Sequence, residues 1–247
     1  MSAHQAHVAA IASGKGGAGK TTLAVGLGTA AALAGRQVLA VEFDAGLRGM
    51  DLMLGLDRVV YDLGDLLEGR CSISSALLAA PGRPGFFVIA APASLTGRMS
   101  LADIRLLING LRPYFDLILL DMPAGLGFSV EAGLAAADSL LAVVTPDPVC
   151  VRSGGVLVGR FAAAGFSRHR LVINRVDSRQ IRRQAIKDLD EVIDGVGSQL
   201  IGVVPEDGGV QLAAAAGMPV GCESGMVKVC GAIVRRMAGE YVPLLVC

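Results

Sequence analysis

The chain has 247 residues, of which 53% are hydrophobic and 18% charged, with 22 basic against 22 acidic side chains and no formal net charge. So apolar a chain is not disordered and can bury a large core. The even charge balance gives no global field for nucleic acid or an anionic membrane. The longest uncharged stretches, 21–35 and 208–222, fall short of the roughly 20 apolar residues a membrane-spanning helix needs. No basic segment precedes the first apolar run, which argues against a secretory leader. The five cysteines form no C-x-x-C pair and read as free thiols of a reducing cytoplasm. The length suits one domain over 1–247.

Taken in chain order, short apolar runs at 7–13, 37–43, 86–91, 117–121, 140–145, 171–175 and 200–204 read as strands. Between them, helices are expected at 21–34, 60–68, 101–111, 130–137, 154–164, 183–192 and 227–237. Runs as apolar as LILLDM and LAVVTP fit strands buried on both faces of a parallel sheet. Strand–helix alternation with right-handed crossovers gives a doubly wound α/β fold, a mostly parallel sheet with helices on both faces. Ligands of such sheets bind beyond the carboxyl ends of the strands. At those ends stand SGKGGAGKTT, Asp44, Asp121 with a Pro-Ala-Gly turn, Asn174 with Arg175, and Pro205-Glu206-Asp207, all converging on one edge.

Residues 14–21, Gly14-Lys15-Gly16-Gly17-Ala18-Gly19-Lys20-Thr21, fit G-x-x-x-x-G-K-[ST]. Glycines let backbone N–H groups turn around phosphate oxygens, and the next helix adds its positive dipole end. Lys20 is placed to reach the β- and γ-phosphates, and the Thr21 hydroxyl to ligate Mg²⁺. Only Lys15, Lys20, Lys187 and Lys228 are lysines, and two of the four fall in this loop. A compact ammonium suits a phosphate cradle better than a planar guanidinium does.

SGKGGAGKTT resembles the deviant Walker A box of the MinD/ParA family of P-loop ATPases, whose loop carries an extra lysine near its start. FDAGLRGMDL from Phe43 is similar to that family's FDIGLRNLDL, and Val59-Val60-Tyr61-Asp62 to its VVYD. Ala91-Pro92-Ala93-Ser94-Leu95-Thr96, Asp121-Met122-Pro123-Ala124-Gly125 and Val203-Val204-Pro205-Glu206-Asp207 have counterparts in register. The GLR-x-x-DL and PED segments point to the MinD branch, and the resemblance spans all but the extreme C-terminus.

The resemblance implies a fold like that of the nitrogenase iron protein, ATP/ADP and Mg²⁺ as ligands, and a homodimer formed with ATP. Lys15 would cross to the other subunit's phosphates as an arginine finger does. Asp44 would position the attacking water, and Asp121 would hold Mg²⁺ through water, so that Thr21, Asp44 and Asp121 form the metal set. Gly14, Gly16, Gly17, Ala18, Gly19 and Thr22 would complete the phosphate cradle, and Asn174, Pro205 and Asp207 would line the adenine. The implied activity is ATP hydrolysis driving a spatial switch in septum placement, with regulatory partners of the MinC/MinE type.

Several positions depart from the pattern. Glu42 stands where the family has the first Asp of D-x-D, and its extra methylene is expected to disturb the Mg²⁺ water shell. Ser153-Gly154-Gly155 replaces a charged stretch. The chain ends GEYVPLLVC, without the Lys/Arg-rich amphipathic helix of MinD, so direct membrane binding is not expected of these residues. The expected location is the cytoplasm, peripheral at most to the inner face of the cell membrane. The rival is a ParA-like partition ATPase gripping DNA through Arg175, Arg179, Arg182, Arg183 and Lys187, diluted by Asp177, Asp188 and Asp190. A cluster-carrying relative is disfavoured because DMPAGLGFSV holds no cysteine, and a module that binds without hydrolysing is the reading Glu42 raises.

Overall fold

The computed structural model of the chain describes residues 5–45, 48–56, 58–92, 100–177 and 188–244. Eight strands lie in one sheet: β1 (His7–Ala12), β2 (Val38–Glu42), β3 (Leu78–Ala79), β4 (Phe86–Ile89), β5 (Leu117–Asp121), β6 (Ser139–Val144), β7 (His169–Val176) and β8 (Leu200–Pro205). Their order is β3-β4-β2-β5-β1-β6-β7-β8, and every neighbouring pair is parallel except β3–β4. This is the doubly wound α/β arrangement expected from the sequence. The order reverses about β1, so the carboxyl ends of β1, β2 and β5 open onto one crevice.

The central strands are buried throughout because helices cover both faces. α1 (Lys20–Leu33) is buried along most of its length, held between the sheet and a C-terminal helix at Gly225–Met237. Small residues make that fit. A Cβ at Gly28 would sit 2.2 Å from the Phe86 ring, and one at Gly26 would sit 2.8 Å from Cys230 Sγ. Crossovers that run the opposite way along the sheet, β4 to β5, β5 to β6 and β6 to β7, lay α5 (Leu101–Leu111), α6 (Phe128–Ala136) and α7 (Pro148–Ala163) over the opposite face. α2 (Met50–Leu54), α3 (Leu63–Leu67) and α4 (Ile73–Ala76) follow β2, α8 (Leu189–Val196) follows β7, and α9 (Gly208–Ala215) follows β8.

The helix expected at 154–164 begins six residues earlier. Asp147 accepts the Cys150 N–H as its N-cap, and Pro148 occupies the first turn, where a missing N–H costs nothing. Gly154 and Gly155 are close-approach points inside it: their Cβ atoms would meet Val144 Cγ1 at 2.5 Å and the Gly195 carbonyl at 2.6 Å. The helix expected from residue 60 starts at Leu63, behind a capping box of Asp62 and Asp65. That expected at 183–192 is described only from Leu189. No helix among the described residues is long and apolar enough to cross a membrane. After the last helix, Arg236 donates to the carbonyls of Val242, Pro243 and Ile201, which lays residues 242–243 against β8.

Candidate functional site

β1 delivers the chain into residues 14–19, and α1 starts at Lys20. Gly17 and Gly19 take φ of +80° and +87°, left-handed values that side chains rarely adopt. Gly19 is also the N-cap of α1 and offers no side-chain cap, which leaves the first-turn N–H groups for an anion. A Cβ on Gly19 would lie 2.3 Å from Asn174 Nδ2, and one on Gly14 would lie 2.5 Å from the Ser153 carbonyl oxygen. The loop is thus braced from β7 and from α7. Asn174 Nδ2 donates to the Ala18 carbonyl at 2.8 Å, and the Ser13 hydroxyl donates to the Lys15 carbonyl at 2.7 Å.

A cavity of about 630 Å³ opens over this loop. Gly16, Gly17, Gly19, Lys20, Thr21 and Thr22 line its floor, Asn174 lies against Gly19, and Asp44, Pro205 and Asp207 also line it. Ten of the fourteen site residues expected from the sequence therefore line one cavity. Gly14, Lys15, Ala18 and Asp121 are not among its lining residues. Gly14 packs on Ser153, and Ala18 is buried with its carbonyl turned to Asn174.

Asp121 lies beneath the loop, fully buried at the end of β5, and neither carboxylate oxygen has a hydrogen-bond partner among the described residues. Burial pushes its carboxyl up to about 7. The Thr21 hydroxyl and the Lys20 ammonium oppose this, and the Glu42 and Asp44 carboxylates add to it. The Thr21 hydroxyl faces Asp121 without meeting hydrogen-bond geometry. An orphaned carboxylate beside a hydroxyl at the phosphate loop fits a hard cation, which Mg²⁺ is, held by one or two protein oxygens plus phosphate. Glu42, expected to disturb the Mg²⁺ water shell, lines the same cavity as Thr21 and Asp44. Its buried carboxylate accepts N–H groups from Gly49, Met50 and Ala91. Burial raises its pKa, and those three bonds oppose the rise.

The Asp207 carboxylate caps α9 through the Gly209 and Val210 N–H groups, so it shapes the wall as well as lining it. Arg175, the one non-glycine residue with positive φ (59°) among those described, pairs with Glu206 at 3.2 Å. Both line the cavity, with Val210, Gln211 and Met226. The sequence reading had no place for this pair, although the PED segment adjoining Asn174-Arg175 was its signal. Arg179, Arg182, Arg183 and Lys187 lie outside the described residues, as do Gly46, Leu47 and 93–96 of the resemblance.

Lys15 is turned outward. Its Nζ lies 3.3 Å from Asp147 Oδ1 of the same chain, with both side chains roughly half-exposed. Asp147 also accepts the Thr145 hydroxyl at 2.5 Å. Farther along α7, Arg160 Nη1 donates to the Leu126 carbonyl in the turn after Asp121 at 2.6 Å. α7 thus touches the phosphate loop at Gly14 and Lys15 and the Asp121 turn at Leu126. No feature of the sequence reading singled out Asp147 or Arg160.

Comparison with known proteins agrees with this geometry. A family model described as the CobQ/CobB/MinD/ParA nucleotide binding domain matches residues 9–220. The septum site-determining protein MinD of Helicobacter pylori is 37% identical over 95% of this chain and 91% of its own length. Among solved structures, the MinD cell division protein of Aquifex aeolicus superposes with a TM-score of 0.86 at 28% identity, covering 97% of this chain and all of that one. A MinC:MinD complex from Aquifex aeolicus matches with a TM-score of 0.86 at 29% identity, covering 97% of this chain and 99% of that one. The chain belongs to the MinD/ParA family of nucleotide-binding domains, and its sequence and fold place it with the MinD septum site-determining proteins.

Proposed function

We infer that this chain, folded as one domain, is a Mg²⁺-dependent ATPase that dimerises with ATP and is released by hydrolysis, serving as a positional switch in septum placement. One observation carries the reading: the phosphate loop and Asp44 line one cavity, and the orphaned carboxylate of Asp121 is buried beside Thr21 and Lys20 of that loop. Lys20 holds the β- and γ-phosphate oxygens, and the loop N–H groups at Gly16–Gly19 cradle them. Thr21, with Asp121 and Asp44 through water, would hold Mg²⁺, which would supply charge neutralisation at the phosphates. Asp44, on the cavity wall, orients the attacking water in line, and positioning supplies most of the rate. Asn174, Pro205 and Asp207 line the adenine.

Lys15 completes the site in a dimer by leaving Asp147 for the other subunit's phosphates. Release of Asp147 and movement of the Asp121 turn through Arg160 both act on α7, which presents Val149 and Val156 to solvent. That face suits a regulatory protein of the type that the Aquifex complex pairs with MinD. DNA binding has no comparable support: Arg175, the described member of the basic run, is paired with Glu206.

Phosphate release with Mg-ATP tests the reading. Lys20→Ala is expected to lose nucleotide binding, and Asp44→Ala to bind ATP without releasing phosphate. Full turnover by Asp44→Ala would remove it from the mechanism. Co-sedimentation with anionic liposomes in ATP and in ADP tests the septum assignment: pelleting in ATP alone supports an autonomous membrane switch, and none in either makes membrane patterning depend on a partner.

A further inference from the structure

Glu42 is the last residue of β2, and its side chain is 1% exposed. Oε1 accepts the Gly49 N–H at 2.9 Å and the Met50 N–H at 3.3 Å, and Oε2 accepts the Ala91 N–H at 3.4 Å. These donors come from two different segments. Gly49 is the N-cap of α2 and has no side chain to cap with, so Glu42 supplies the acceptor that the cap residue lacks. Ala91 follows β4, two places across the sheet from β5.

Arg48 completes the arrangement. Its Nε donates to the Ala91 carbonyl at 2.9 Å, and its Nη2 pairs with Asp62 of the capping box. Residue 91 is therefore held at both its N–H, by Glu42, and its C=O, by Arg48. At the other end of the same segment, the Phe43 N–H donates to the Asp121 carbonyl at 2.9 Å. Asp44 thus sits on a short span fixed at Phe43 and again at residues 48–50.

We propose that Glu42, which also lines the cavity, is a positioning residue for Asp44, a clasp that fixes the far end of the Asp44 segment. A carboxylate has about four lone-pair sites, and three are taken by backbone donors. An aspartate here would be shorter by one C–C bond, about 1.5 Å, too short to meet both segments within hydrogen-bond range. The glutamate, a departure from the family's D-x-D, is the residue whose length the two loops require. This rests on the proposed turnover at the site, since positioning matters only if Asp44 orients a water.

The test compares Glu42→Asp and Glu42→Gln with the wild-type chain by steady-state phosphate release, Mg²⁺ titration of turnover, and amide hydrogen exchange at Gly49, Met50 and Ala91. Glu42→Asp, which restores the family residue, is expected to lower kcat by about 10- to 100-fold. KM for ATP and the half-saturating Mg²⁺ concentration should stay unchanged, and exchange at the three amides should speed up. Glu42→Gln keeps the reach and one acceptor, so it should fall between the two. A Glu42→Asp chain with wild-type kcat would overturn the proposal. So would a raised Mg²⁺ requirement with unchanged amide exchange, which would make Glu42 a metal residue after all. Exchange is read on the folded, nucleotide-free chain, so the clasp stands or falls on it even if wild type releases no phosphate, a result that would sink the proposed activity instead.

Discussion

Lys15 Nζ rests 3.3 Å from Asp147 Oδ1, so the lysine that resemblance sends across a dimer is folded back onto its own chain. Exposed ion pairs of this kind contribute about 1 kcal/mol at most, weak enough for a phosphate to displace. Partial burial works against the Asp147 carboxylate, but the Thr145 hydroxyl, the Cys150 N–H and Lys15 together hold it below its ordinary value. Asp147→Asn would keep an acceptor for Cys150 and remove the charge. Because a symmetric dimer breaks two such pairs, it is expected to tighten ATP-dependent dimerisation by up to about 30-fold, read from sedimentation over a range of protein concentrations. Weaker dimerisation would show that Asp147 does not compete for Lys15.

The carboxyl of Asp121, pushed up to about 7 by burial, makes metal binding pH-dependent. Below pH 7 it holds a proton that Mg²⁺ must displace, so Mg²⁺ affinity is expected to fall by about tenfold per unit as the pH drops through that range. Asp121→Asn should bind Mg²⁺ weakly at every pH. The linkage to folding has the opposite sense. The folded carboxyl binds its proton more tightly than the unfolded one, whose value is near 3.8. Its contribution to stability is therefore fully present below 3.8 and is lost as pH rises through 7. Thermal melts of the nucleotide-free chain from pH 5 to 8 should show this fall, and Asp121→Asn should flatten it.

Gly19 is constrained twice, by its positive φ and by Asn174 Nδ2 in the space a Cβ would fill. Gly19→Ala is expected to abolish nucleotide binding. Asn174→Ala alone should destabilise the chain by about 1–3 kcal/mol, because the buried Ala18 carbonyl loses its donor. The double variant removes the clash but keeps the strained φ, so it should remain unable to bind. Isothermal titration with ADP and denaturant melts check all three, and recovered binding in the double variant would contradict the role given to φ.

Gly28 lies far from the cavity and tests the packing instead. An alanine would drive its methyl group into the Phe86 ring. Gly28→Ala is expected to cost about 1–3 kcal/mol with nucleotide affinity per folded molecule unchanged.

What could be read from sequence divides along physical lines. The helix at 101–111 was legible to the residue because Ser100 caps it and a Pro-containing turn follows. The phosphate loop was legible because glycine, lysine and threonine there serve local geometry. The start of α7 was misplaced because Gly154-Gly155 looks like a break, while the glycines in fact serve contacts with Val144 and Gly195. The two-residue β3 carries too little pattern to detect. Asp44 and Asp121 could be named from the strands they follow, but the engagement of Glu42 by Gly49, Met50 and Ala91 depends on three segments meeting in space. The Lys15–Asp147 pair, 132 residues apart, was invisible for the same reason.

ATP, sensed through Lys15, is expected to join two copies of this chain. Light-scattering mass measured after size exclusion, in Mg-ATP and in Mg-ADP, tests it most directly, with Asp44→Ala to stop turnover and Asp44→Ala/Lys15→Ala as the control. Asp44→Ala is expected to be a dimer in ATP and a monomer in ADP, and a monomer in both nucleotides once Lys15 is removed. The same mass in ATP and ADP, or a dimer that persists without Lys15, would contradict it.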